Sequence, residues 1–281
     1  MSSYPVPPPS YQAPPSPSKN YGAADETQQA LLGEGVATTS TAARNAIFDQ
    51  PAADDLPDDF KYGTTVSESA VEIQQAFVRK VYSILFVQIL GTVIVAAGMR
   101  TEDAMFFVKQ HPSVVIVPLF GTLINLGVLF WKRHSHPLNL VLLATFTLME
   151  SVAIGAAVAY YDQVVVMQAL LITLGVFLGL TLFTLQSKYN FDSMGPFLFA
   201  GLLVLVFSGL VHIFLPFSRG VDLAYGIGGA LLFSGYIVYD THLINRRLSP
   251  DEYIWGAIAL YLDFINLFLS ILRILNNANH D

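Results

Sequence analysis

Two carboxylates, Asp240 and Asp263, stand in the stretch Phe233 to Leu275, inside runs otherwise apolar enough to lie in lipid. An acid at the centre of a membrane helix costs roughly 2.5 to 3.5 kcal/mol on insertion scales, so such groups face protein or water, take partners and mark ion or proton paths. Each of these two acids is the other's obvious candidate. In the second run, steps of three or four residues from Gly256 give Ala259, Asp263, Asn266, Ser270, Arg273 and Asn277, a small and polar stripe on a Leu, Ile and Phe surface. Such a stripe points into a bundle, either as a hydrogen-bonding seam between helices or as the wall of an ion or proton path. Glu150, beside Thr145, Thr147 and Ser151, is the other carboxylate at bilayer depth; it is a candidate for the same polar interior or for a plain helix–helix hydrogen bond. Gln88, Asn125, Gln168 and His212 stand singly and read as structural. His134 and His136, beside Lys132 and Arg133, lack a third ligand and read as a solvated loop rather than a zinc site.

The elements that hold these residues follow from composition. A hydrophobic fraction of 53% with only 12% charged residues, and a positive mean hydropathy, describe an all-α polytopic membrane protein rather than a soluble domain. Residues 1–78 carry ten acids and three bases, whereas residues 79–281 carry eleven of each, so the net charge of −7 resides in the leading segment. No basic patch suggests a nucleic-acid partner. The absence of Cys excludes disulfides, thiolate metal sites and Cys nucleophiles.

Residues 1–57 are rich in Pro, Ser, Ala, Gln and acids without apolar periodicity, and they read as a disordered cytosolic tail ahead of a membrane domain over 58–281. The uncharged, Pro-rich start lacks the basic and apolar regions of a secretory signal. Pro8, Pro9 and Tyr11 fit the PPxY ligand of WW domains, which implies a WW-domain ubiquitin ligase as a partner, with Lys19 and Lys61 within reach. Ser69 and Glu72 have capping-box spacing for a helix that runs into a span over residues 81–99. Further runs of about 20 residues, enough to cross a bilayer, cover 113–131, 138–160, 163–184, 194–215, 221–244 and 253–275, which makes seven spans. Ser249, Pro250 and Glu252 supply an N-cap, a first-turn Pro and a capping-box acid for the last one. Arg79, Lys80, Lys132, Arg133, Lys188, Arg246 and Arg247 gather on one side, against Arg100, Lys109, Arg219 and Arg273 on the other, which places the N-terminus in the cytosol. Asp263 lies roughly 20 Å into its helix while Asp240 is about one turn from the end of the preceding span. Their depths match only if the first turns of the last helix stand clear of the membrane.

Several strings resemble the Bax inhibitor-1, or lifeguard, family, and specifically a fungal member. They are DDFKYGTTV (58–66), FVRKVYSILFVQIL (77–90), FTLMES (146–151), LTLFTLQSKYNF (180–191), YDT (239–241) and the segment from PDEY through LYLDFINLFLSILRIL (250–275). Asn190 departs from the family's usual acid, with Asp192 close by. The resemblance implies a seven-transmembrane-helix bundle with the last helix central. It also implies a pH-sensitive calcium leak channel in internal membranes, endoplasmic reticulum or vacuole, that opposes cell death. The family's paired aspartates match Asp240 and Asp263, so these two residues become the expected gate and transient Ca2+ ligands, with Ca2+ as transported ion, H+ as effector and no resident cofactor. Two carboxylates in low dielectric do not readily both ionise, so one proton is shared; that proton holds the last two helices together, and its loss releases oxygen ligands to Ca2+.

Two other classes compete. Paired intramembrane acids also serve aspartyl proteases, but those carry GxGD at the second acid, whereas Asp263 follows Leu260, Tyr261 and Leu262, so no enzyme is expected. The alternative is a non-conducting scaffold that regulates cell death through protein partners, for which the tail, with its PPxY match and Ser16-Pro17, is the support.

Overall fold

The computed structural model describes residues 65–69, 71–111, 113–133 and 135–279. The expected tail, its Pro8, Pro9 and Tyr11 motif, and His134 lie outside the described residues. Eight helices follow in order: α1 (Val71–Gly98), α2 (Glu102–Gln110), α3 (Ser113–Trp131), α4 (Leu138–Val158), α5 (Gln163–Gln186), α6 (Gly195–Phe214), α7 (Arg219–Arg246) and α8 (Tyr253–Ala278). Single 3₁₀ turns at Val66–Glu68, Asp192–Met194 and Pro250–Glu252 precede α1, α6 and α8. Every regular element among the described residues is helical, as apolar spans in lipid require, since a helix satisfies its own backbone polar groups.

Six of these helices (α1, α4, α5, α6, α7 and α8) are long and apolar enough to cross a membrane, and α3 adds the apolar run Ile116–Trp131. The chain alternates between two faces of the bundle. On one face Val66 N–H donates to the Leu248 carbonyl, Gln74 to the Asn245 carbonyl, and Arg133 meets Glu252 at 3.4 Å. On the other, Arg100 donates to the carbonyls of Val158 and Tyr161, and Arg219 to the carbonyl of Asn277. The seven bases grouped by sequence fall at the first face and Arg100, Arg219 and Arg273 at or near the second.

The last helix is the central one. It packs against α7, α5, α1 and α4 and buries 14 of its 26 residues, whereas α6 fully buries Leu198 alone, with its remaining residues half-buried or exposed. Its core partners are large and interlocked: Phe146 meets Tyr261 edge-on at 6.1 Å and Phe177 meets Phe264 at 5.6 Å. Between membrane helices, close packing of this kind replaces the hydrophobic effect as the source of cohesion.

Local signals fared unequally. The capping box at the start of the last helix forms as expected, Ser249 and Glu252 exchanging hydrogen bonds across the turn. The one expected at Ser69 does not, because the Ser69 hydroxyl donates to the Thr65 carbonyl instead. The third span ends at Val158, and Asp162 caps α5 by accepting from Val164 N–H at 2.7 Å. Helix α2 occupies a connection in which the sequence reading saw no element; acids in its first turn, Lys109 in its last and exposed Phe106 and Phe107 suit a short helix lying at an interface.

Candidate functional site

Helices α7 and α8 form an antiparallel hairpin, and its register decides which polar residues meet. Gly256 of α8 lies against Ile244 of α7 and Leu248 just beyond its end, and at the far end Gly226 and Gly229 lie against Ser270, Arg273 and Ile274. A Cβ at Gly229 would sit 2.5 Å from Ser270 Oγ, so only glycine lets the two backbones approach this closely. In that register Asp240 and Asp263 face each other with an offset of about one turn. Side chains on a helix tilt towards its N-terminus; on antiparallel helices the two acids therefore lean towards one another, and their carboxyl groups come within hydrogen-bonding reach.

Charged groups gather at the first turn of α8. Lys80 Nζ sits 3.3 Å from the centre of the Tyr253 ring, and Glu252 pairs with Arg133. Asp263, ten residues further along α8, is about 15 Å deeper.

Asp240, Asp263, Asn266, Ser270 and Arg273 line one cavity of about 590 Å³ between α6, α7 and α8. The polar stripe predicted from Ala259 to Arg273 is thus its α8 wall, and Leu202, Leu205 and Val206 of α6 close it opposite. Within the stripe, Asn266 donates to the Leu262 carbonyl and Ser270 to the Asn266 carbonyl, bonds that stay within α8. Asp263 is 5% exposed, and its Oδ2 finds no hydrogen-bond partner among the described residues. Asp240 aside, a buried carboxylate oxygen that no donor reaches is costly where it stands. A proton, a cation or water would satisfy it.

At the far end Arg273 reaches Asp222 Oδ1 at 3.5 Å and lies 4.6 Å over the Tyr225 ring. Tyr225 donates to the Leu205 carbonyl at 3.2 Å, and Asn277 donates to Asp222 Oδ2 at 2.7 Å. Asp222, Tyr225, Tyr236 and Trp255 were not found from the sequence. The hairpin register that opposes Asp240 to Asp263 carries the first turn of α7 to the last turns of α8, and extending it would have exposed the Asp222–Arg273 pair.

Glu150 is set apart from this cavity. It is half-buried on α4, next in sequence to Ser151, which belongs to a second cluster in which Thr92 Oγ1 meets Tyr261 Oη at 2.7 Å and Ser151 Oγ at 3.0 Å. Gln88 donates to Thr147 and Asn125 to Thr145, so these two singly placed amides serve as ties between helices. His212 accepts from Phe217 N–H beyond the end of α6. Asp192, beside the departing Asn190, pairs with Arg247 and lies 3.3 Å from His242 Nε2. No group of three or more His, Cys, Asp or Glu suited to a metal ion occurs among the described residues.

The family model described as "Inhibitor of apoptosis-promoting Bax1" matches residues 74–280. The chain is 47% identical to mouse Protein lifeguard 4 over 225 residues, which cover 80% of this chain and 94% of that protein. It is 44% identical over 229 residues to the Golgi anti-apoptotic protein of vaccinia virus strain Lister, covering 81% and 96%. Bax inhibitor 1 of Schizosaccharomyces pombe is 41% identical over 228 residues, covering 79% and 86%.

Proposed function

The chain belongs to the family of inhibitors of apoptosis-promoting Bax1, and from that membership and the cavity on α8 we propose that it is a pH-sensitive calcium leak of internal membranes that restrains cell death. The observation that carries the proposal is the pair itself: two carboxyl groups within hydrogen-bonding reach inside a membrane bundle, on the wall of a largely apolar cavity, one with a buried oxygen that no donor reaches. Intramembrane acids so placed mark ion paths.

The mechanism follows from charge. With one proton between them, Asp240 and Asp263 hydrogen-bond and tie α7 to α8. Without it, two anions in a poorly screened site repel. Hard oxygen ligands are then exposed to a cation that favours them, and Ca2+ accepts irregular sets of six to eight oxygens, water included. The Asn266 amide and the Ser270 hydroxyl next along the wall supply further oxygens for a partly hydrated ion. Flux therefore rises with pH, and the pair performs no catalysis. The basic face of the bundle supports a cytosolic N-terminus by the positive-inside rule; endoplasmic reticulum, vacuole and, from the name of the viral relative, Golgi are the candidate membranes.

Reconstituting the full chain in liposomes and measuring Ca2+ flux against pH tests the reading. Asp263→Asn keeps a hydrogen bond to Asp240 but removes one titrating group, so the pH dependence flattens; a profile like that of the parent would remove the gate from this pair.

The PPxY match at Pro8, Pro9 and Tyr11 favours a second reading, a scaffold that regulates cell death through a WW-domain ubiquitin ligase or other protein partners. Deleting residues 1–57 separates the two, because a scaffold loses its protective effect while a leak keeps its flux.

A further inference from the structure

The cavity that Asp240 and Asp263 line runs from Trp255 past the two acids to a positive charge. Arg273 lines its far end, is held by Asp222 at 3.5 Å and lies over the Tyr225 ring at 4.6 Å. Asp222 is held in turn by Asn277, and Tyr225 by the Leu205 carbonyl of α6. Members of all three helices that wall the cavity thus converge on one guanidinium. Arg219, donating to the Asn277 carbonyl, lies beside the same cluster.

A guanidinium cannot be neutralised by deprotonation, and it is planar, so it can be held by a carboxylate and a ring face together. Placed in a narrow path it opposes the passage of cations, as arginines do in other selective pores. We infer that Arg273 is the specificity-determining plug of this cavity: clasped by Asp222 and Tyr225, it bars cations at the mouth opposite the aspartate pair, and conduction requires it to swing aside. The inference rests on the leak reading for its physiological meaning, but the occlusion itself is a property of the cavity. It also gives the Gly226 and Gly229 contact a role, since the backbone approach there sets Arg273 against the first turns of α7.

The chain contains no Cys, so a single Ser270→Cys substitution in the full chain reports access to the cavity floor beyond the plug. A membrane-impermeant methanethiosulfonate reagent, applied to sealed vesicles from the Arg273 side, should label it slowly. Adding Asp222→Asn, which releases the guanidinium, or Arg273→Gln, which removes the charge, should raise the labelling rate about tenfold or more, the scale on which a local charge alters access to a cleft. The exchanged pair Asp222→Arg with Arg273→Asp should return it towards the parent. Equal rates in all four proteins overturn the plug, and so does fast labelling in the parent. Asn266→Cys, one turn deeper, gives the same comparison should the Ser270 position disturb packing against Gly229. Ca2+ flux measured on the same vesicles separates the two ideas. Raised labelling with no flux in any protein leaves the plug and sinks the leak, while flux with unchanged labelling leaves the leak and sinks the plug.

Discussion

Helix α8 carries two polar regions on different sides, and they are built to opposite rules. On one side Tyr261 is fully buried and its hydroxyl meets Thr92, which in turn meets Ser151 and donates to the Gln88 carbonyl. Ser151 donates to the Thr147 carbonyl, and Gln88 reaches Thr147 across the α1–α4 contact. The hydroxyls there are partnered, the rings of Phe146 and Tyr261 pack edge-on, the orphaned atom is a neutral amide oxygen, Gln88 Oε1, and the cavity that Thr92 lines is small, about 150 Å³, and almost wholly apolar. On the other side Asp263, Asn266, Ser270 and Arg273 face a cavity of about 590 Å³, and Asp263 keeps an oxygen with no partner. A polar seam that only joins helices looks like the first region. A buried acid is retained in the second at the expense of stability, and that is the mark of a site used for something else.

The comparison is broken most directly by two opposed substitutions. Tyr261→Ala empties a large volume in the closed region and unpairs Thr92, so it should destabilise the protein by about 3 kcal/mol or more, read as a fall in melting temperature in detergent. Flux per folded molecule should keep its pH profile. Asp263→Leu should act in the other direction, since it removes a buried, half-satisfied acid; stability should rise by up to roughly 2 kcal/mol while pH-dependent Ca2+ flux is lost. If Asp263→Leu melts earlier than the parent, the acid is part of the glue and the distinction between the two regions fails.

The bundle and the stripe were legible because lipid leaves few options. Runs near 20 apolar residues must be helices, and a three-to-four step of small and polar residues must be one face of one of them. The cavity wall from Ala259 to Arg273 could therefore be drawn from the sequence. Its opposite wall could not: Leu202, Leu205 and Val206 look like any lipid-facing residues of α6, and only the packing of α6 on α7 brings them over the stripe. Glu150 shows the reverse error source. Its depth suggested membership of the same interior, yet depth fixes only one coordinate, and Glu150 on α4 is not among the residues that line the cavity. Helix α2 escaped notice because nine residues with charges at both ends carry too little apolar periodicity to register.

A finer cut within the closed region has the smallest expected effect. Tyr261→Phe keeps the ring against Phe146 and removes only the hydroxyl that meets Thr92 at 2.7 Å. Interhelical hydrogen bonds in membranes contribute about 0.6 kcal/mol on average, because the separated helices find other partners. Thr92 also retains Ser151 and the Gln88 carbonyl, so the melting temperature should fall by no more than a degree or two. Flux and its pH dependence should be those of the parent. A large change in flux from this single oxygen would mean that the Thr92 cluster, with Glu150 beside it, conducts or gates after all, and the polar path would then run along both sides of α8.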